Sequence, residues 1–238
     1  MSAEILKRIT NFSTHKELEQ HLVSELLLDI SKPGLLLLPV GATYEEKIYP
    51  KLNQVLDGES ERINTQLYIS HLDELISSPK LFSDILKENL ANLIDPIKDR
   101  FYPIDIEKPA DFERFIHQRG GARAIYLGLG ADPSTAHVAF IGEEYINREI
   151  TIVDLGESSA QKLGVKQALT IGTDVFNSSS LERIVITISG EGKSEAFKAA
   201  LENPDTGLGF LLKNHLEKLH IFCDHLFIQG IRKLGIQL

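Results

Sequence analysis

The stretch GLLLLPVGAT, residues 34–43, decides the fold class of this chain. Its four leucines form too short a run for a buried helix, and turn residues bound the stretch, so it predicts a strand that is buried on both faces. A small-residue loop follows, and apolar residues then recur at helical spacing: Tyr44, Ile48, Leu52 and Val55. Strand, loop and helix in this order are the first half of a crossover unit between parallel strands.

The same alternation of strands and helices runs along the rest of the chain. Strands are predicted at 66–70, 122–127, 151–153, 168–171, 184–188 and 219–223. Helices are predicted from a Thr14 cap to about residue 31, at 79–93, 110–118, 194–201 and 209–218, and in a last segment ending at Leu234. Such alternation predicts one doubly wound α/β domain, residues 1–238, whose mostly parallel sheet has helices on both faces. The stretch 130–148 has no helical period and predicts a small β-hairpin insertion.

Composition and charge exclude several classes of function. The chain has 238 residues and a formal net charge of −9, so a broad surface for nucleic acid or anionic membrane is not expected. Its single cysteine, Cys223, excludes an internal disulfide and a multi-cysteine zinc site. No apolar run of signal-peptide or membrane-spanning length occurs, so the expected location is the cytoplasm.

Two glycine-bearing loops are candidates for binding an anion. Ligands of open α/β sheets bind beyond the carboxyl ends of the strands, which is where Gly41-Ala42-Thr43 and Gly190-Glu-Gly-Lys193 fall. Both loops lead into helices, whose first N–H groups favour phosphate. A lysine at a helix start is unfavourable unless an anion is bound there. A plain tight turn and a solvated Lys193 are the alternatives.

Three ionisable side chains after predicted strands are candidates for catalysis. Asp73 follows the strand at 66–70 and could act as a general base, although carboxylates in this position are more often turn formers or caps. Asp132 and His137 follow Gly128-x-Gly130, where the imidazole could carry a proton. A structural histidine and a weak two-ligand metal site are the other interpretations of this pair.

Several short segments carry a family resemblance. They are LLLPVGAT (36–43), YISHLDE (68–74), GLGAD (128–132) with HVAF (137–140), ALTIG (168–172), GEGK (190–193) and IFCD (221–224). In order and spacing they resemble the superfamily of glucosamine-6-phosphate deaminases and 6-phosphogluconolactonases, over nearly the whole chain. HVAF, ALTIG and the Cys-Asp pair resemble the deaminase branch more than the lactonases.

The resemblance implies roles for the candidate residues. The phosphate of a sugar phosphate would be held by four residues: Gly41, Ala42, Thr43 and Lys193. Asp73 would move a proton between C2 and C1 of a hexosamine 6-phosphate, and His137 with Asp132 would open the sugar ring, ending in ammonia release. Neither a metal nor an organic cofactor is expected, and resemblance to the deaminases allows a homo-oligomer.

The site differs from the family pattern at several positions. The family's Asp-Gly-His is Asp132-Pro-Ser-Thr-Ala-His137 here, three residues longer, and Ala42 and Tyr44 replace a serine and a proline. Glu143 is only an off-register match to an acidic residue of the family, and Arg148 does not align with the family's later arginine. Two alternatives therefore stay open: a 6-phosphogluconolactonase, in which His137 activates water or protonates the leaving alkoxide, and a noncatalytic sugar-phosphate sensor.

Overall fold

A computed structural model describes residues 3–141 and 148–236. Within these ranges the strands are β1 (Ile9–Phe12), β2 (Gly34–Leu38), β3 (Leu67–His71), β4 (Asp73–Leu75), β5 (Ala122–Gly128), β6 (Ile150–Asp154), β7 (Gln167–Ile171), β8 (Arg183–Ile188) and β9 (Leu219–Asp224). The α-helices are α1 (Ala3–Leu6), α2 (His15–Ile30), α3 (Tyr49–Val55), α4 (Phe82–Asn89), α5 (Ala91–Ile94), α6 (Pro109–Gln118), α7 (Glu157–Leu163), α8 (Ser194–Glu202), α9 (Gly207–Asn214) and α10 (His225–Lys233). A π-helical stretch, Tyr44–Ile48, runs directly into α3.

The main sheet has six parallel strands in the order β1-β9-β8-β5-β2-β3. The leucine-rich strand β2 lies inside it, with Leu36 paired with Ile69 of β3 on one side and with Ala124 of β5 on the other. The prediction of a mostly parallel α/β sheet is therefore confirmed. All strands of this sheet end at one edge, which brings the loops after β2, β3, β5 and β8 together.

Strand β2 shows why the four leucines are needed. Leu36 and Leu38 pack on one face against a core that includes helices α2 and α3, whereas Leu35 and Leu37 pack on the other face with α6 and α8. All four side chains have no exposed surface. Because successive side chains of a strand point to opposite faces, a strand between two helical layers must be apolar at every position.

A second, three-stranded sheet has the order β4-β7-β6 and is antiparallel. The sequence places strands at 151–153 and 168–171 correctly, but they pair here with each other and with β4 and not in the parallel sheet. No strand forms in 130–141, where the hairpin is predicted, and 142–147 lie outside the described residues. The antiparallel addition therefore uses the chain after Asp73 and after Glu149 instead.

Strand β1 is absent from the sequence prediction. It has four residues, two of them the exposed polar Thr10 and Asn11, and it pairs in parallel with β9 at the edge of the main sheet. So short a segment with an exposed polar centre has no clear period-2 pattern. Its place in the sheet depends on pairing with β9, a long-range contact that local sequence does not reveal.

A buried ion cluster joins α2 to the main sheet at the opposite edge from the strand ends. The carboxylate of Asp29 has no exposed surface and accepts hydrogen bonds from Arg123 (2.9 Å), Tyr126 (2.7 Å) and Arg183 (2.5 Å). Burial alone would raise the pKa of Asp29, but these donors and the positive charge of Arg183 lower it below its usual value. The cluster therefore holds one ionised carboxylate between two strands and a helix.

No helix in the described part of the chain is both long and apolar enough to cross a membrane.

Candidate functional site

The loops after β2 and β8 are joined across the intervening strand. The buried hydroxyl of Tyr44, just after the Gly41 loop, hydrogen-bonds the hydroxyl of Thr187 at the end of β8 at 2.8 Å. Tyr44 replaces the proline of the family pattern that this loop resembles, and its side chain bridges the two loops in this chain. The bridge sets the distance between the two loops predicted to bind phosphate.

The Gly41 loop begins a helix. The carbonyl oxygen of Gly41 accepts the N–H groups of Tyr44 and Glu45, both at 2.9 Å. The N–H groups of Gly41, Ala42 and Thr43 face no acceptor within the described ranges, as expected for a first helical turn. Three free donors and a threonine hydroxyl can bind an anion there without any side chain from Ala42.

Two lysines add positive charge to the same edge. Lys193 is partly buried and makes no ion pair with a carboxylate in the described part of the chain. Burial lowers its pKa, and the charge of Lys162 on α7 lowers it further. Lys162 also interacts with the carboxylate of Glu45, whereas Lys193 has no such partner among the described residues, so a dianion such as phosphate would stabilise the Lys193 ammonium.

Asp73 opens strand β4, two residues after β3 ends. Only 7% of its surface is exposed, and burial raises its pKa to about 7 despite a hydrogen bond from Thr170. The Thr170 hydroxyl also contacts the carbonyl oxygen of Ala139, which lies two residues after His137. Asp73 is thereby linked to the His137 loop, and its pKa suits a group that must take up and release a proton near neutral pH.

The neighbours of Asp73 have structural roles. The Ile104 N–H donates to Nε2 of His71 at 2.9 Å, so Nδ1 carries the proton and donates to the Asp73 carbonyl oxygen at 2.7 Å. Glu74 accepts the N–H groups of Phe82 and Ser83 and so caps α4. Both side chains are fully buried and held by backbone groups, whereas the carboxylate of Asp73 accepts only from the Thr170 hydroxyl among the described contacts, which makes Asp73 the better candidate base of this segment.

The extended loop between Asp132 and His137 folds back on itself. The Ala136 N–H donates to the Asp132 carbonyl oxygen (2.8 Å), and the Gly130 N–H donates to the His137 carbonyl oxygen (2.7 Å). Ala136, Ala139 and Phe140 have positive φ angles of 37°, 48° and 49°. Such backbone is costly for residues with a side chain, and it is found mainly where function or packing requires it. The three extra residues are absorbed within this turn.

Within this loop Asp132 and His137 do not hydrogen-bond each other. The Asp132 carboxylate accepts the Ser134 N–H (2.8 Å) and hydroxyl (2.7 Å), whereas Nδ1 of His137 contacts the Thr135 hydroxyl at 3.2 Å. Thr135 is thus the direct partner of the imidazole. The charge of Asp132 reaches His137 only as a weak influence that raises its pKa.

His137 is neutral in this setting. Burial lowers its pKa to about 4, and the positive charge of Lys193 contributes to the same effect. The ring stacks on Phe140 with centroids 5.3 Å apart. A neutral imidazole near Lys193 can accept a proton from a substrate hydroxyl or from water and return it.

Gly130 is required by the position of this ring. A Cβ atom at residue 130 would lie 2.2 Å from Cε1 of His137, whereas one at Gly128 would meet no atom within 4 Å. We expect Gly130→Ala to push the imidazole towards solvent, so that an NMR titration shows the His137 pKa rising from about 4 towards its ordinary value. Gly128→Ala is the matched control and should leave the titration unchanged. An unchanged His137 pKa in both variants would contradict this account.

A cavity of about 230 Å³ adjoins His137. It lies between the 132–137 loop, the small antiparallel sheet and the first turns of α7 and α9. Three carboxylates line it, those of Asp132, Asp154 and Asp205, and no lysine or arginine of the described residues does. His137 therefore borders an acidic cavity, and the positive charge of Lys193 also acts on its imidazole.

The sequence analysis gives no role to three residues of this site. Thr135 lies inside an insertion relative to the family motif, and Lys162 lies on a helix that carries no motif. Thr170 lies within the ALTIG segment (168–172), which marks the segment but not the contact of its hydroxyl with Asp73. These contacts form only through long-range pairing or a chain reversal, which local sequence does not show. In the described ranges no cluster of three or more His, Cys, Asp or Glu side chains is arranged to hold a metal ion.

Comparison with known proteins yields structural likeness at low sequence identity. No protein-family model matches the sequence, and no curated protein matches it significantly. A monomeric glucosamine-6-phosphate deaminase superposes with a TM-score of 0.75 and 20% identity, over 94% of this chain and 99% of that one. The 6-phosphogluconolactonase of Trypanosoma cruzi gives 0.75 and 16%, over 94% and 96%. That of Thermotoga maritima gives 0.68 and 18%, over 91% and 98%.

The likeness extends over more than nine-tenths of each chain, so it is a likeness of the whole fold. The resemblance deduced from the sequence is confirmed at the level of architecture: the chain has the α/β fold shared by glucosamine-6-phosphate deaminases and 6-phosphogluconolactonases.

Proposed function

We propose that this protein is a sugar-phosphate enzyme that converts a hexosamine 6-phosphate into the corresponding ketose phosphate with release of ammonia. The observation that carries the proposal is that charges of both signs lie near His137. The charge of Lys193 acts on its imidazole, Lys162 acts on Lys193, and three carboxylates line the cavity that His137 borders. An amino sugar phosphate carries an anion and a cation in one molecule, so both kinds of charge would have a partner at this site.

The chemistry needs one base and one proton carrier near a fixed phosphate. With the phosphate at the Gly41 loop and Lys193, His137 would move a proton from the anomeric hydroxyl to the ring oxygen and so open the ring. Asp73 would take the proton from C2 and return it to C1 while one proton of the C2 amine passes to the C1 oxygen, which leaves a hydroxymethyl group at C1 and an imine at C2. Water adds to that imine, both of its protons pass to the nitrogen, and ammonia leaves, so the products are ketose phosphate and ammonia.

The product decides between this reaction and its alternatives. We expect incubation with glucosamine 6-phosphate, or with an epimer, to yield ammonia and ketose 6-phosphate in equal amounts. Release of acid from 6-phosphogluconolactone, with no ammonia from any hexosamine phosphate, would instead show a lactonase. Measurable binding of one of these compounds without any product would contradict both reactions and would favour a noncatalytic sugar-phosphate sensor.

The lactonase alternative has a specific observation in its favour. Hydrolysis of a lactone needs a neutral base to activate water, and His137 is a neutral imidazole whose partner is Thr135 and not a carboxylate. A histidine of this kind can activate water without help from Asp132. The acidic cavity counts against the lactonase, since 6-phosphogluconolactone carries no positive charge.

Lys193 is expected to dominate phosphate affinity. Lys193→Met should weaken binding of inorganic phosphate by roughly 10- to 100-fold, the effect of losing a hydrogen bond to a charged group. Isothermal titration would measure this change. Lys198→Met, on helix α8 directly after the Lys193 turn, removes an exposed lysine near Glu202 and should leave affinity unchanged. Equal affinities of the two variants would place the phosphate elsewhere.

A further inference from the structure

The turn that carries Lys193 has an unusual backbone. Gly190, which begins the turn, has φ +88° and ψ 154°, a conformation that residues with a side chain rarely adopt. This conformation directs its N–H towards Oδ2 of Asp224, at a distance of 2.9 Å. A 3-10 turn, Glu191–Lys193, then leads into α8.

Asp224 lies at the end of β9 and has no exposed surface. Its Oδ1 accepts the Phe227 N–H at 2.8 Å and so caps α10. Its Oδ2 accepts the Gly190 N–H and also lies 3.0 Å from Nδ1 of His15, in the first turn of α2. One buried carboxylate therefore ties the Lys193 turn to the beginnings of two helices.

Helix α10 packs against the same turn. The Ser194 hydroxyl donates to the Phe227 carbonyl oxygen at 3.3 Å, and a Cβ atom at Gly230 would lie 2.1 Å from that hydroxyl oxygen. Lys233 also pairs with Glu191 at 2.7 Å, but this ion pair is exposed and contributes little to holding the turn. The turn is thus seated on α10, with the contact to Asp224 at its first residue.

Lys193 itself has no such support. In the described part of the chain no carboxylate holds its ammonium group, which hangs on a flexible four-carbon stem. The location of the charge therefore depends on where the backbone of the turn places the start of that stem.

We propose that Asp224 is a positioning residue that fixes the Gly190–Lys193 turn and so places the Lys193 ammonium beside His137. The inference rests on the proposed function in one respect, namely that the positioned ammonium group serves to bind a phosphate. The placement itself can be measured without any substrate, because Lys193 acts on the titration of His137.

The variant Asp224→Asn separates the two roles of the carboxylate. Its amide oxygen can still accept the Phe227 N–H and cap α10, while its NH₂ group would face the Gly190 N–H and displace the turn. We expect the His137 pKa, followed by NMR, to rise from about 4 towards its value in Lys193→Met. Affinity for inorganic phosphate should fall roughly 3- to 10-fold, the effect of one hydrogen bond.

Two further variants keep the test decisive. Gly190→Ala forces the same turn out of its conformation without a clash, since a Cβ there meets no atom within 4 Å, and it should reproduce both changes. Lys233→Met is the matched control, because it removes the exposed contact to Glu191 and leaves Asp224 in place. Neither measurement should change in that variant.

The inference would be overturned if Asp224→Asn lost stability but kept the His137 pKa and the phosphate affinity of the wild type. Asp224 would then act only as the cap of α10. If that variant fails to fold, the His137 pKa and phosphate affinity of Gly190→Ala are compared with those of the wild type instead, and unchanged values would overturn the inference. Absence of ammonia release together with a raised His137 pKa would refute the proposed reaction and leave the positioning role of Asp224 intact.

Discussion

Asp73→Asn is expected to lower turnover of the hexosamine phosphate by about 10²- to 10⁴-fold, the range for loss of a general acid–base group. The side chain keeps its size and can still accept from the Thr170 hydroxyl, but an amide cannot take up the C2 proton. Affinity for inorganic phosphate should not change, because none of the phosphate-binding groups involves Asp73. Steady-state kinetics and titration of inorganic phosphate together check this expectation, and full turnover in the variant would remove Asp73 from the mechanism.

The pH dependence of the wild type follows from the same carboxyl group. A general base must be ionised, and burial raises the Asp73 pKa to about 7. The ratio kcat/KM should therefore rise with pH through about 7 and then level off. His137, with a pKa of about 4, stays neutral over this range and adds no second step. A rise centred near pH 4 would show that another group acts as the base.

Stability provides the control for Asp73→Asn. A carboxyl group whose pKa is raised by folding favours the folded state while it is protonated, and this contribution is lost as the pH rises from about 4 to about 7. Asn resembles the neutral form at every pH. At pH 8 the variant should therefore be more stable than the wild type, by up to about 4 kcal/mol for a shift from 3.8 to about 7. Denaturant unfolding would measure this difference, and a large loss of stability would instead indicate a structural role.

Asp29→Ala is expected to have the largest effect on stability, a loss of about 3–5 kcal/mol in the free energy of unfolding. Removal of the carboxylate leaves Arg123 and Arg183 without their shared buried partner, and Tyr126 without its hydrogen-bond acceptor. The guanidinium groups of these two arginines, which are largely buried, would then repel each other at the edge of the sheet where the strands begin.

Glu182→Ala is the matched control for Asp29→Ala. Glu182 lies 3.6 Å from the same Arg123, but its side chain is 58% exposed, so its loss should cost less than about 1 kcal/mol. Urea unfolding of both variants is the measurement. Similar stabilities would mean that the buried cluster contributes no more than an exposed ion pair.

Local patterns were sufficient for the parallel sheet but not for the whole fold. The run of leucines in β2 and the apolar β8 are buried on both faces, so their sequences alone indicate strands of a covered parallel sheet. Strands β6 and β7 have equally clear patterns, yet those patterns do not show that the two strands form a separate antiparallel sheet with β4. A strand's own residues specify that it pairs, whereas the choice of partner depends on contacts distant in the chain.

In the candidate site, too, local patterns locate the segments but do not show which side chains meet. The loops that hold Gly41, Asp73, His137 and Lys193 could be placed at one edge, because parallel strands end together. The Asp132–His137 contact that the family motif implies does not form, since Asp132 is occupied by Ser134 and the imidazole by Thr135. Inserted residues change which side chains meet, and spacing alone cannot show the new partner.

The inserted loop is also hydrogen-bonded to the start of helix α9. The N–H groups of Gly207 and Leu208, at the start of that helix, donate to the carbonyl oxygens of Thr135 (2.9 Å) and Ala136 (3.0 Å). Deleting three residues to restore the shorter family spacing would remove these acceptors and leave two helix donors unpaired. The loop and the helix must therefore be exchanged together. A chimera that receives the short loop of a structurally similar enzyme also needs that enzyme's counterpart of α9.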